Sequence, residues 1–426
     1  MRQLFLFSLV FLFLHSARSQ VSITTTGTPP DPSSMLDISN ATKGLLIPRM
    51  SISQRNSISL PANALLIYQT NSNPGFYYNH GTPVVPDWVS LTSFLDLENL
   101  RDRIPIDSLP YTISTPGSYY ATANLAGSVG ITITTSSVTL DLNGYTLKGT
   151  PGNTSEGIKV TVAVTNINVK NGGVSNWGKE GIKAGLATNS VFSQLQIISN
   201  AYDGINTGNN DLISFSDAGN NGFDGIDMGE SAVIFHCTAS GNLNDGLEAD
   251  AGSSFSQSTA RGNTQEGIKA TGASTISECS STENNGDGFS CGAGSQVQHC
   301  TALHNMLSGF YLFSTSSATD NTSRLNGHHG FEWLNDCIIQ SNNASLNSYS
   351  GFSTTYNGGK VDNNNGCANS HYGFNIQNTG GTLIIRNTSS GNGINAFNIL
   401  PGNTFATPVT PATINTNTNP FANFQL

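Results

Sequence analysis

From residue 157 onward, a glycine followed by a bulky apolar residue keeps returning. The pair stands at Gly157-Ile158, Gly181-Ile182, Gly204-Ile205, Gly225-Ile226, Gly246-Leu247 and Gly267-Ile268. It goes on at Gly288-Phe289, Gly309-Phe310, Gly330-Phe331, Gly351-Phe352, Gly373-Phe374 and Gly393-Ile394. The intervals are 24 and 23, then seven of 21, then 22 and 20. Positions +1 and +3 from the glycine are apolar (Ile226 and Met228, Leu247 and Ala249, Phe331 and Trp333), the alternation of a strand with one face inward. Further apolar or small columns keep the register: Ile213, Ile234, Phe255 and Ile276 at +9, and Ala218, Ala239, Ala260 and Ser281 at +14. An Asn stands four residues before each of nine consecutive glycines, from Asn200 to Asn369.

A period of 21 residues is too short for helical repeats, which need about 33 or more, and leucine-rich repeats need more Leu than these units hold. The remaining architecture is a coil of short parallel strands stacked ~4.8 Å apart, in which each column becomes a ladder of like residues. The Asn column then becomes a turn ladder, each carboxamide donating to one neighbour and accepting from the other. Phe289, Phe310, Phe331, Phe352 and Phe374 become an interior aromatic stack.

The segment Gly117 to Gly149, then "NINVKNGGVSNWGKEGIKA" and the Asn-x-x-x-Gly-Ile/Phe coils, resembles secreted right-handed parallel β-helix proteins of the pectate-lyase-like repeat type. The resemblance implies an all-β fold and leaves the chemistry open, because that architecture carries lyases, hydrolases, epimerases, adhesins and tailspikes. The predicted organisation is a signal peptide at 1–19 and a small β-rich module at 20–92. A helical linker at 93–108, the parallel β-helix at 109–400 and a capping tail at 401–426 follow. Arg2, the apolar run Leu4 to Leu14, and Ala17 and Ser19 before the cut form the export signal, so the mature chain is expected to be secreted or at the cell surface. No later segment is apolar for long enough to span a membrane. The front module, with strands expected at Leu65–Gln69, Gly75–Tyr78 and Trp88–Leu91, resembles modules that precede repeats or fibre domains in bacterial exported surface proteins. Phe94 to Ile104 reads as a short amphipathic helix, a linker or the seam of a homotrimer. The tail is expected to fold back over the last coil, with Phe421 and Phe424 as plugs.

Composition narrows the function. Charged residues are 10% of the chain, and 17 Lys+Arg against 27 Asp+Glu give a net charge of -10. An acidic chain excludes a phosphate-neutralising groove, and with it a nucleic-acid partner. The most ordered charged feature precedes the repeat glycine: Glu156, Glu180, Asp203, Asp224, Asp245, Glu266 and Asp287. Such a column is either a Ca²⁺ stripe, with Asp203, Asp224, Asp245, Glu266 and Asp287 as ligands, or a run of turn dipeptides in which glycine supplies a positive φ. No other cofactor is implied.

Strand alternation turns +2 and +4 outward. That face carries Asp227, Glu248 and Asp250, then Lys269, then Tyr311, Phe313 and Glu332. Carboxylates on neighbouring coils have the spacing of glycosidic acid/base pairs, Lys269 is the local base for lyase chemistry, and the aromatic faces stack on sugar rings. His328, His329 and Glu332 are close in sequence, but adjacent histidines on a strand are expected to point apart. The six cysteines read as free thiols. Two functions remain open: an exported β-helix that binds or processes polysaccharide, as a lyase or glycoside hydrolase, and a non-catalytic surface, adhesin or fibre protein.

Overall fold

The computed structural model describes residues 20–91 and 103–426. The export signal and most of the expected linker helix lie outside the described residues. The chain divides into two compact units, Met1–Arg101 and Asp102–Leu426.

The first unit holds a four-stranded sheet of Arg49–Met50, Leu66–Gln69, Gly75–Asn79 and Trp88–Ser90, in that order. The three predicted strands are present within a residue at each end. A short helix, Ile52–Asn56, was not expected; Ser51 and Gln54 close a reciprocal capping box at its start. A separate parallel pair joins Val21–Thr24 to Leu36–Ser39.

The second unit is a right-handed parallel β-helix. It begins earlier than the sequence suggested: Arg103–Ile106 is a strand paired with Gly117–Ala121, so the C-terminal end of the expected helical linker already belongs to the solenoid. Each regular coil contributes three strands. Ile226–Met228, Val233–Phe235 and Thr238–Ser240 form one coil, and each pairs in register with its counterpart 21 residues later. The strand after the repeat glycine runs in a 14-stranded sheet, and the other two share a 28-stranded one. They are divided by a corner residue in the left-handed region, such as Phe215, His236 or Gln257.

The interior follows the columns. The phenylalanine stack is real, with ring centroids 4.7, 4.6, 5.1 and 4.8 Å apart from Phe289 to Phe374 and planes within 6°. It extends to Phe397 at 5.1 Å, a partner the glycine pattern missed. Phe374 pairs with Phe397, and Gly373 is followed one coil on by Ala396. Gly393-Ile394 is therefore out of register, and Ile394 is exposed. Burying each ring contributes roughly 2–3 kcal/mol.

The Asn column is a continuous ladder. Asn242 Nδ2 donates to Asn263 Oδ1 at 3.0 Å, Asn263 Nδ2 to Asn284 Oδ1 at 2.9 Å, and the series runs from Asn200 to Asn392. Each Oδ1 also accepts the backbone N–H of the Asn one coil before, as Asn263 Oδ1 does from Asn242 at 3.0 Å. A second ladder occupies the corner column of Ser216, Cys237, Ser258, Cys279 and Cys300. It continues as Asn321, Asn342, Asn364, Asn387 and finally Asn423. The last of these belongs to the returning tail. Phe424 and Gln425 pair with Thr388 and Ser389, and Asn423 and Phe424 with Pro408 and Val409, so a carboxamide and two backbone segments close the coil. Ala422 and Asn423 are the buried residues there; Phe421 is exposed and Phe424 only half-buried, so neither is the expected apolar plug. All six cysteines are free thiols.

Candidate functional site

The 14-stranded sheet turns the +2 column outward in unbroken register: Asn206, Asp227, Glu248, Lys269, Ser290, Tyr311, Glu332 and Ser353. Beside it runs the acidic column, one residue before each repeat glycine. Asp224 and Asp245 are buried, and Asp203, Glu266 and Asp287 half-buried.

This second column is a hydrogen-bonded structure. Asp203 Oδ1 accepts the backbone N–H of Asp224 at 3.1 Å, Asp224 that of Asp245 at 2.8 Å, and Asp245 that of Glu266 at 2.9 Å. Asp287 accepts from Ser308 at 2.7 Å. His329 takes the same place higher up, where its Nδ1 accepts the Ser350 N–H at 3.2 Å. The glycines that follow are not at positive φ, so the expected turn explanation fails. A side chain on Gly246 would lie 2.6 Å from both Asn263 Nδ2 and the Gly267 carbonyl oxygen; the column needs glycine for close approach of the coils.

Lysines neutralise part of the acid. Lys269 Nζ lies 3.0 Å from Asp245 Oδ2 and 2.9 Å from Glu248 Oε1. Burial opposes the charge, but Glu248 and Asp245 outweigh it and raise the Lys269 pKa, which favours the protonated amine. Lys183 pairs with Glu180 at 2.7 Å, and Lys179 and Lys159 reach Glu156 at 3.3 and 3.7 Å. Oxygens of Asp224, Asp245 and Glu248 come within 4.8 Å of one another, the part of the stripe best able to hold a cation, and the Lys269 ammonium supplies positive charge there.

Of the other predicted residues, Asp227 is half-buried and accepts from Asn206 Nδ2 at 2.6 Å. Asp250 is exposed and accepts from Thr271 Oγ1 at 3.4 Å. Burial raises the pKa of both Asp227 and Glu248. Tyr311 and Phe313 meet edge to face with centroids 5.3 Å apart, and Phe313 is exposed. Glu332 is the register partner of Tyr311. Its carboxyl is held below the usual range by the His328 hydrogen bond and by His329, against the effect of burial. The histidines do not point apart: their rings are 4.1 Å from centroid to centroid. Tyr349 and His371 continue this stack at 4.6 and 4.7 Å, a ladder two residues before the repeat glycine. Reading that column down the sequence would have found it.

Burial lifts Asp203 to about 6 and Asp224 to about 7. Glu266 is raised too, by burial and by the hydrogen bond it shares with Asp245. Between the ordinary value of 3.8 and these raised values, the folded aspartates hold protons that the unfolded chain has lost. Stability is therefore greatest on the acid side of this window and falls as pH rises through about 6 to 7. Glu156, Glu332 and Asp362 are shifted the other way and act only below their usual range; burial lowers His329 to about 4, which opposes the trend below pH 6.5 and is outweighed by the several raised carboxyls. A higher thermal midpoint near pH 5 than near pH 8, with the difference reduced in Asp224→Asn, is expected from unfolding curves at the two pH values.

A groove of about 860 Å³, lined by Lys148, Asn153, Trp177, Asn220 and Leu243 among others, contains no member of the acidic column.

Comparison with known proteins adds two family matches. Residues 207–326 match the right handed beta helix region, and residues 22–105 match the phage tail like trimerisation region. No curated protein matches the chain. Similar solved structures include a mannuronan C-5 epimerase A-module of Azotobacter vinelandii, at 12% identity and TM-score 0.46, over 67% of this chain and 89% of that one. A periplasmic alginate epimerase aligns at 13% and 0.47, over 71% and 78%. The Dettilon tailspike protein aligns at 11% and 0.39, over 77% and 69%.

Proposed function

We propose that this right-handed parallel β-helix is an exported protein that binds carbohydrate along the outward face of its 14-stranded sheet. The observation that carries the reading is the single in-register column that runs from Asp227, Glu248 and Lys269 to Tyr311 and Glu332. Carboxylates and an ammonium can accept from and donate to sugar hydroxyls, and the Tyr311–Phe313 pair offers an aromatic surface for a ring. One straight row of this kind suits an extended polymer better than a small ligand.

Processing of that polymer is a finer reading of the same face. Asp227 and Glu248 sit on adjacent coils, and burial favours the protonated form of each, as a general acid requires. Asp250 lies two positions beyond Glu248 and contributes a further carboxylate, and Lys269 orients Glu248 as a fixed cation. Ca²⁺ ions bound along the stripe of Asp203, Asp224, Asp245, Glu266 and Asp287 would compete with Lys269 for the oxygens of Asp245.

The alternative is a non-catalytic surface or fibre protein assembled as a homotrimer. It is favoured by the match of residues 22–105 and by the exposed Leu45, Leu46, Val84 and Val85 of the first unit.

The test is binding to an array of acidic and neutral polysaccharides. A loss of tenfold or more in Tyr311→Ala plus Phe313→Ala is expected. Binding that survives this change, or no binding at all, overturns the assigned face. Reducing ends or unsaturated products, with and without Ca²⁺, separate processing from binding; their absence leaves the stalk or adhesin reading.

A further inference from the structure

The acidic column changes character above Asp287. Three successive coils bring Asp287, Ser308, His328, His329 and Glu332 together on the outer face, a group of which the proposed function uses only Glu332 and, at the end of the Ca²⁺ stripe, Asp287. Ser308 Oγ donates to Glu332 Oε2 at 3.0 Å and lies 3.2 Å from His328 Nδ1. His328 Nδ1 lies 3.3 Å from the same Glu332 oxygen. These three atoms form a nearly equilateral triangle. A ring nitrogen of His329 joins His328 and Glu332 with all three ligand atoms within 4.8 Å of one another.

We propose that His328, Glu332 and His329 form a site for a divalent transition metal ion such as Zn²⁺, with Ser308 and Asp287 in support. Zinc bonds of about 2.0–2.2 Å to nitrogen and oxygen in a tetrahedron place neighbouring ligands about 3.3 Å apart, which is the His328–Glu332 separation. Two imidazoles with a carboxylate favour Zn²⁺, Co²⁺ or Ni²⁺ over Ca²⁺, which prefers oxygen alone. Among the described residues, neither Asp287 nor Glu332 has a lysine or arginine within ion-pair distance, so no fixed side-chain cation competes for the site. Binding requires the coordinating ring nitrogens to be free of their protons. His329, whose Nδ1 accepts the Ser350 N–H at 3.2 Å, brings the second imidazole to the site. Ser308 stays anchored through its own N–H to Asp287 at 2.7 Å.

The site shares Glu332 with the carbohydrate reading, but its test uses metal alone and does not depend on glycan binding. Purified full-length protein is titrated with Zn²⁺ by calorimetry and with Co²⁺ by visible absorption. One equivalent per chain with submillimolar affinity is expected, with a cobalt band typical of nitrogen and oxygen ligation and a raised thermal midpoint. His328→Ala and Glu332→Gln are each expected to weaken binding at least tenfold, and Glu283→Gln, an exposed carboxylate paired with Arg261 on another part of the coil, to leave it unchanged. Circular dichroism of the variants establishes that the coils are retained. Absence of saturable binding, binding unaffected by either ligand substitution in a folded variant, or displacement by equimolar Ca²⁺ overturns the assignment.

Discussion

Gly246→Ala lowers the stability of the solenoid by about 2–4 kcal/mol, with a matching fall in the thermal midpoint. The new methyl would lie 2.6 Å from the Gly267 carbonyl oxygen, 2.6 Å from Asn263 Nδ2 and 2.9 Å from Ala260 Cβ. The first of these atoms is backbone and accepts the Leu247 N–H at 3.0 Å, so it cannot turn aside. Relief requires the two coils to separate, which stretches the strand pairing on both sides. Gly272→Ala is the control, since its methyl meets nothing nearer than 3.3 Å and a change of under ~1 kcal/mol is expected. Chemical unfolding of the two variants checks the contrast. Equal stability would mean that the coils have slack where the structure shows none.

Asn263→Ala costs about 3–5 kcal/mol, from orphaned polar groups rather than lost volume. Asn263 Oδ1 accepts both the backbone N–H and the side-chain amide of Asn242 at 3.0 Å, and Nδ2 donates to Ala239 O at 3.3 Å and to Asn284 Oδ1 at 2.9 Å. Its side chain is buried, so water cannot replace these partners. Asn263→Asp separates hydrogen bonding from packing. Its shape is unchanged, but an acceptor then faces the Asn284 oxygen, so the carboxyl must keep a proton to fit. The Asp variant is expected to approach wild-type stability at acid pH and to lose it as pH rises. Hydrogen exchange of the amides around residues 242 and 263 reads the local opening in both variants. Wild-type protection in Asn263→Ala would refute the ladder as a source of stability.

Much of the coil was legible because a parallel β-helix sets residues one period apart against each other. Asn242, Asn263 and Asn284 form a single file because the sequence spaces them by 21. The same arithmetic located Asp227, Glu248, Lys269, Tyr311 and Glu332 in one outward row. It failed where the period drifts: Gly393 preserves the dipeptide but not the column, and Phe397 takes the stacking position. It did not give side-chain direction. Lys269 reaches across to Asp245 and Glu248, and the His328 and His329 rings meet instead of diverging.

The sequence by itself determined the length of the coil, the inward and outward columns, the aromatic stack and the main turn ladder, because each follows from spacing and strand alternation. Tertiary structure alone decided why glycine stands in its column, which carboxylates hold backbone amides, and which acids receive a lysine. Those outcomes turn on contacts of about 3 Å between neighbouring coils, and the order of letters along one coil does not specify how closely the next approaches.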